Sequence, residues 1–401
     1  MMKSYRLLRS TLLMISASLV GVMPVMAGTL SPAVATKALK AKKLADKKHY
    51  DKAIEVLTPL PKQAYDKAYM ARMLGIFYWQ NEQIKPAIKA LRLAVSGDQL
   101  EPEQAWSTRR MLADILLMNQ QYKPALTEYS QLVKAQPKSK SHEDKAELWL
   151  RISQIHYQLE DWSKTLSSIQ RYHQLGMPDA VQPLSLKVGA QLQLSQWTSA
   201  IPTLKKLLLL EPQKKRWWMQ LVNLEMRVKR QNDALDSLAL AKLQGIEFNQ
   251  QETRLLAQLY AQNGIPERAA QVMSTLKGAE NDKALLVSQA QYWQRAKEWD
   301  KAIDTWQLAA QHDEKYHWNV AQLMLQQGQY RAALHVLDNI KDPSRQVDVA
   351  LARTRALYQL DKVDHALKQA HYANHLQPSA EAKSWIKYLK QLQRMTKKRT
   401  S

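Results

Sequence analysis

Residues 290–311 read AQYWQRAKEWDKAIDTWQLAAQ and contain a pattern that returns through most of the chain. A small residue, Ala302, is followed by Ile303 and preceded three positions earlier by Trp299. A second small residue, Ala290, stands twelve positions ahead of Ala302. Small residues at this spacing let two antiparallel helices approach closely, while larger side chains fill the groove between neighbouring pairs. The stretch therefore predicts a helix–turn–helix pair.

The position of Ala302 has counterparts at intervals of 31 to 40 residues, and we call these positions anchors. The anchors are Ala53, Ala87, Ala125, Thr165, Ala200, Ala234, Ala269, Ala302, Ala333 and Ala366. Pro137, Pro212 and Pro378 follow three of them by twelve residues, where a proline stops a helix. A fixed period of this length is typical of a repeat protein, so we expect about ten helix pairs.

Composition agrees with an all-α fold. Hydrophobic residues make up 45% of the 401 residues and charged residues 23%, which suits a chain that buries a core. Only 10 glycines and 15 prolines are present, too few for a many-stranded sheet. The absence of cysteine excludes disulfides and thiolate metal sites. The formal charge of +22 favours an acidic partner.

The N-terminal residues predict export. Lys3, Arg6 and Arg9 precede an apolar run over residues 11–23, and Ala27 ends a short segment suited to a signal peptidase. We expect cleavage after Ala27 and a periplasmic protein, which makes nucleic acid an improbable partner. The run is shorter than the about 20 residues that cross a bilayer, but an uncleaved signal anchored in the inner membrane stays an alternative.

The spacings predict five segments. These are a signal peptide at 1–27, a linker at 28–35, the repeat array at 36–378, a capping helix at 379–396 and a basic tail at 397–401. Longer anchor intervals predict an exposed loop over residues 136–144 and a mild hinge over residues 176–183.

No motif for catalysis is present in the sequence. It lacks a glycine-rich phosphate loop, a nucleophile elbow and His-Glu-x-x-His. His371 and His375 lie four residues apart on one predicted helix face, but no third ligand is evident. We therefore expect no enzyme activity, no cofactor and no metal.

The register predicts a binding groove. Positions seven, eight, eleven and fifteen before each anchor lie on the outward face of the first helix, which would line the inner surface of an array. The candidate residues are Arg72, Trp79, Arg110, Tyr157, Arg216, Met219, Asn223, Arg227, Arg254, Gln258, Gln291, Arg295, Trp318, Gln322 and Arg355. Guanidinium groups bind carboxylates bidentately, so seven arginines suit an acidic peptide. Alternatively, these arginines only cover their neighbours with long stems.

The small residues, aromatics and terminal prolines resemble the tetratricopeptide repeat (TPR) over residues 36–378. The stretches 73–79, 110–116, 215–221 and 255–264 are similar to exported bacterial TPR proteins associated with TonB energy-transduction systems. For the fold we expect a right-handed superhelical solenoid with a capping helix. The resemblance implies a periplasmic scaffold that helps a TonB-type complex drive iron-siderophore uptake.

A second function stays open. Lysines crowd residues 37–48, and lysines and arginines crowd residues 390–399. Such segments attract anionic lipid or cell-wall polymer, so the chain could instead be a basic binder of the envelope surface.

Overall fold

A computed structural model describes residues 29–135, 137 and 139–400, with side chains up to Met395. The predicted signal peptide and the side chains of the predicted basic tail lie outside the described residues. Within the described part, the elements are α-helices and short 3₁₀ segments, without a β-strand. None of the helices in this part is both long enough and apolar enough to span a membrane.

The chain divides into two compact units between Pro212 and Gln213. Unit 1 contains five helix pairs: α1 (Pro32–Asp46) and α2 (Tyr50–Leu57), α3 (Ala64–Gln80) and α4 (Ile84–Val95), α5 (Pro102–Met118) and α6 (Tyr122–Lys134), α7 (His142–Gln158) and α8 (Trp162–Gln174), and α9 (Val181–Gln193) and α10 (Trp197–Leu210).

Unit 2 contains five further pairs and a terminal helix. They are α11 (Lys215–Arg227) and α12 (Gln231–Leu243), α13 (Gln250–Gln262) and α14 (Pro266–Ser274), α15 (Lys283–Arg295) and α16 (Trp299–His312), α17 (His317–Gln326) and α18 (Tyr330–Asp338), α19 (Gln346–Gln359) and α20 (Val363–Leu376), and α21 (Ala380–Thr400). Three 3₁₀ segments precede α15, α17 and α19: Ala279–Asn281, Glu314–Tyr316 and Pro343–Arg345.

The anchors are completely buried positions of the second helices. Each second helix begins three residues before its anchor, and the side chain at every one of the ten anchors is 0% exposed. Thr165, the one anchor that is not alanine, is equally buried and donates its hydroxyl hydrogen bond to the Asp161 carbonyl at 3.1 Å. The prediction of an all-α array of TPR-like helix pairs is confirmed.

The turn inside each pair has one geometry. A residue with positive φ stands five positions before every anchor: Lys48, Glu82, Gln120, Glu160, Ser195, Lys229, Gly264, Lys297, Gly328 and Asp361. In the second pair the Gln83 amide donates to the Tyr78 carbonyl at 2.8 Å, and the Glu82 amide donates to the Trp79 carbonyl at 3.1 Å. These bonds satisfy carbonyls at the end of the first helix and reverse the chain.

Three predicted boundaries are corrected by the structure. The linker predicted for residues 28–35 is shorter, because α1 already begins at Pro32, and proline is preorganised for a first helical position. The loop predicted for residues 136–144 ends earlier, since Ser141 and Asp144 form a capping box that starts α7 at His142. The capping helix does not stop at residue 396 but continues to Thr400.

Gly75 shows how closely the helices of a pair approach. It lies in α3, and a Cβ atom at this position would stand 2.5 Å from the side chain of Leu91 in α4. Leu91 is fully buried, in an interior that is close-packed, so it cannot easily move aside.

We predict that Gly75→Val lowers the free energy of unfolding by about 2 kcal/mol, because overpacking forces both helices apart. Urea unfolding followed by circular dichroism measures this change. Gly97→Val is the control, since the nearest atom, Cγ of Gln99, would be 3.5 Å away. Equal stability of the Gly75 variant and the wild type would contradict the close contact.

Candidate functional site

All fifteen predicted groove residues lie on first helices. In unit 1 they are Arg72 and Trp79 on α3, Arg110 on α5 and Tyr157 on α7. In unit 2 they are Arg216, Met219, Asn223 and Arg227 on α11, Arg254 and Gln258 on α13, Gln291 and Arg295 on α15, Trp318 and Gln322 on α17, and Arg355 on α19. Their contacts, however, differ from one position to the next.

Arg110 is not available to a partner, which corrects its predicted role. The residue is 8% exposed, and its Nε lies 3.2 Å from an oxygen of Asp114. Its Nη2 lies 2.8 Å from Oε1 of Glu147 on α7. The Tyr129 hydroxyl donates to Asp114 from α6. The guanidinium therefore neutralises the buried carboxylate of Asp114 and the partly exposed carboxylate of Glu147 within unit 1.

The charges of this network support one another. Burial alone would lower the pKa of Arg110, but Asp114 and Glu147 outweigh it and raise that pKa. Burial would raise the pKa of Glu147, yet the guanidinium groups of Arg110 and Arg151 lower it. Burial, with Asp114, raises the pKa of Tyr129 well above its usual value, so the hydroxyl remains a donor.

The other unit 1 candidates are also used in packing. The ring of Tyr157 lies so close to Gly189 on α9 that a Cβ at Gly189 would overlap it, and it meets Trp162 edge to face at 5.1 Å. This contact explains the glycine at a position that departs from the repeat pattern. Trp79 packs against the buried cluster of α4–α7. Burial lowers the pKa of Arg72, which lies near Tyr69.

Three unit 2 arginines contact the array itself, and two of them contact a neighbouring repeat. Nη2 of Arg254 lies 3.9 Å from Asp282, the residue that caps α15. Arg295 donates from Nη2 to the Ala261 carbonyl of α13 at 3.1 Å. Arg216 places its guanidinium 4.0 Å from the ring centroid of Trp217. Part of the predicted groove therefore fits the alternative interpretation, in which the arginines contact the array itself and not a partner.

The first helices of unit 2 nevertheless form a pocket of about 600 Å³ between α15, α17, α19 and α21. Its lining is Gln294, Asn319, Gln322, Leu323, Leu325, Gln326, Tyr330, Arg355, Gln359 and Trp385. Two of the predicted residues, Gln322 and Arg355, thus meet in one site.

Five side-chain amides converge on this pocket: Gln294, Asn319, Gln322, Gln326 and Gln359. The amide of Gln294 accepts a weak hydrogen bond from Nε1 of Trp306 at 3.4 Å. Among the described residues, the other four amides bond to no protein group. A carboxamide both donates and accepts, so together they can pair with the alternating N–H and C=O groups of a peptide backbone.

A charged and aromatic wall completes the pocket. Nη2 of Arg355 lies 2.5 Å from Oε1 of Glu381 on α21. The ring of Trp385 lies 5.6 Å from that of Tyr358, whose hydroxyl is 2.8 Å from the Tyr388 hydroxyl. The pocket therefore offers hydrogen-bonding amides, one exposed cation and an apolar surface side by side.

Sequence reasoning missed four pocket amides, although three of them stand in the predicted register. Gln326 and Gln359 lie seven positions before their anchors, and Gln294 lies eight before. The glutamine shared by these three register positions was the signal in the sequence that could have identified them. Asn319 lies outside the register, and Trp385 belongs to the terminal helix.

His371 and His375 do not belong to a group of metal ligands in the described part of the chain. No three histidine, aspartate or glutamate side chains there are grouped to hold an ion. His371 and His375 are both exposed on α20.

No protein-family model and no curated protein matches the sequence. Among solved structures, a TPR protein from Parabacteroides merdae is 13% identical with a TM-score of 0.37, covering 65% of this chain and 99% of its own. The C-terminal part of a TPR protein from Cytophaga hutchinsonii is 14% identical with a TM-score of 0.38, covering 69% and 95%.

A third solved structure, Naa15/Naa10 bound to HypK, is 12% identical with a TM-score of 0.41, covering 80% of this chain and 64% of its own. At these identities and TM-scores, none of the three assigns an activity or a partner to this chain.

We predict that Asp114→Asn lowers the free energy of unfolding by about 3 kcal/mol, because it removes a charge from a buried ion pair. Thermal or urea unfolding at neutral pH measures the effect. Lys164→Ala is the control, since its pair with Asp161 is exposed and is worth at most about 1 kcal/mol.

The network also sets a pH dependence. Because the pKa of Glu147 is lower in the folded chain, its contribution is complete above the ordinary glutamate pKa, about 4.3, and falls as pH drops below that value. Glu147→Gln should make the free energy of unfolding depend less on pH in the acidic range, which urea unfolding at a series of pH values measures. An unchanged dependence on pH in this range would contradict this assignment.

Proposed function

We propose that this chain is a non-enzymatic periplasmic scaffold that binds an extended segment of a protein partner in the unit 2 pocket. In this proposal it acts as an accessory component of a TonB-type system for iron-siderophore uptake. The convergence of five amides beside Arg355 and Trp385 carries the binding part of the proposal.

The chemistry of the pocket favours a peptide. Its volume lies within the range of about 300–1,000 Å³ that is usual for ligand sites. An extended chain rises about 3.3 Å per residue and exposes its amides on both edges, which carboxamides can bond in either direction. The rings of Trp385 and Tyr330 can cover apolar side chains of the same segment.

Arg355 gives the pocket a preference for a carboxylate. Its present partner, Glu381, is exposed, and exposed ion pairs are worth little. A carboxylate on the bound segment can therefore take the place of Glu381 at small cost. Hydrogen bonds between the segment and the amides of the pocket then make binding more favourable.

The location and the TonB role are supported by the sequence. The basic and apolar N-terminal residues that end at Ala27 favour export, and the stretches similar to TonB-associated TPR proteins favour that system. The alternative, a basic binder of the envelope surface, is supported by the charge of +22.

We predict that the double variant Gln322→Leu/Gln326→Leu recovers about tenfold less partner than the wild type, as two lost hydrogen bonds of about 0.7 kcal/mol each imply. The purified chain is used as bait in envelope extract at two salt concentrations, and bound proteins are quantified by mass spectrometry. We expect TonB-complex components that remain bound at high salt.

The matched control is Gln307→Leu/Gln311→Leu, which makes the same change at two exposed positions on the second helix α16. Recovery with this control should equal that of the wild type. Equal losses in both variants would contradict the pocket, and recovery of other proteins in place of TonB components would contradict the TonB role.

A further inference from the structure

The terminal helix α21 carries a row of cations on its exposed side. Lys383, Lys387, Lys390 and Arg394 follow one another at intervals of four, three and four residues, and all four are exposed. At 3.6 residues per turn, this spacing keeps them on one face over about 16 Å. We call these four residues the cationic stripe.

The orientation of the stripe is fixed by the buried face of the helix. Ala382 and Leu389 are 0% exposed, and Trp385 and Ile386 pack beside them in the clusters that α21 forms with α19 and α20. Rotating α21 would expose these apolar side chains. The stripe therefore faces solvent as a permanent feature of unit 2.

The acidic residues of α21 and of the neighbouring helix α20 have other partners. Glu381 is bound to Arg355, and Asp364 accepts a hydrogen bond from Gln393 at 2.6 Å. Within the described residues, none of the four cations forms an ion pair. The charge of the stripe is thus left to an external partner.

We propose that the cationic stripe binds the anionic headgroups of a phospholipid bilayer. Three of its four cations are lysines, whose ammonium groups act as separate point charges and lack the fork that pairs with a single carboxylate. Such a row suits a layer of many phosphates.

This contact would hold the chain at a membrane surface without occupying the amide pocket. It does not rest on the proposed function, because neither the pocket nor a protein partner takes part. The remainder of the net charge of +22 adds a long-range attraction that does not depend on the stripe, so the test must separate the two.

The test is sedimentation of the purified chain with vesicles of equal parts phosphatidylcholine and phosphatidylglycerol, compared with phosphatidylcholine alone. The stripe variant is Lys383→Gln/Lys387→Gln/Lys390→Gln/Arg394→Gln. The control, Lys52→Gln/Lys67→Gln/Lys89→Gln/Lys123→Gln, removes the same charge from four exposed lysines on four separate helices of unit 1. Glutamine is a good helix former, so circular dichroism should be unchanged in both.

We expect the wild type to bind only the anionic vesicles, with affinity that falls as salt rises. The stripe variant should lose at least tenfold in affinity, the control less than about twofold. Gln322→Leu/Gln326→Leu should bind vesicles normally, which separates this proposal from the pocket.

Three outcomes would overturn the proposal: no binding of the wild type, equal losses in the stripe variant and the control, or undiminished binding of the stripe variant. If the wild type does not bind vesicles but the stripe variant loses a protein from envelope extract, the stripe binds an acidic protein surface instead.

Discussion

The close approach of the two helices in each pair is the contact on which the remaining structure depends. All ten anchors are completely buried, and nine of them are alanine. Where α3 meets α4, even a methyl group at Gly75 would overlap Leu91. Side chains of larger volume at these positions would separate the helices, and each pair would lose the groove into which the next pair packs.

This approach also places the first helices next to one another on one side of unit 2. The turn five residues before each anchor repeats with positive φ, so successive pairs enter the array in the same register. Side chains seven to eleven positions before the anchors then fall beside their counterparts in the next pair. Gln294, Gln322, Gln326 and Gln359 reach one pocket for this reason, although they are distant in sequence.

The sequence predicted the helix pairs well because their period depends on local contacts between small and large residues. It did not predict which first-helix side chains remain exposed and accessible to a partner. The register places Arg110 and Arg355 on equivalent faces, yet Arg110 is buried against Asp114 and Glu147, while Arg355 is exposed in the pocket. That difference depends on two carboxylates, Asp114 one turn further along α5 and Glu147 on the neighbouring helix α7. The helix ends at Pro32 and Thr400 were not predicted, because the repeat spacing does not determine where a terminal helix begins or ends.

The central claim, that the first-helix pocket of unit 2 holds a protein segment, is tested most directly by photocrosslinking in living cells. A photoreactive residue replaces Gln322 in the pocket or, for comparison, Leu308, which is exposed on the second helix α16. The account predicts crosslinks from position 322 that map to one contiguous segment of a partner, and few from position 308. Crosslinks that arise from position 308 but not from position 322 would contradict it.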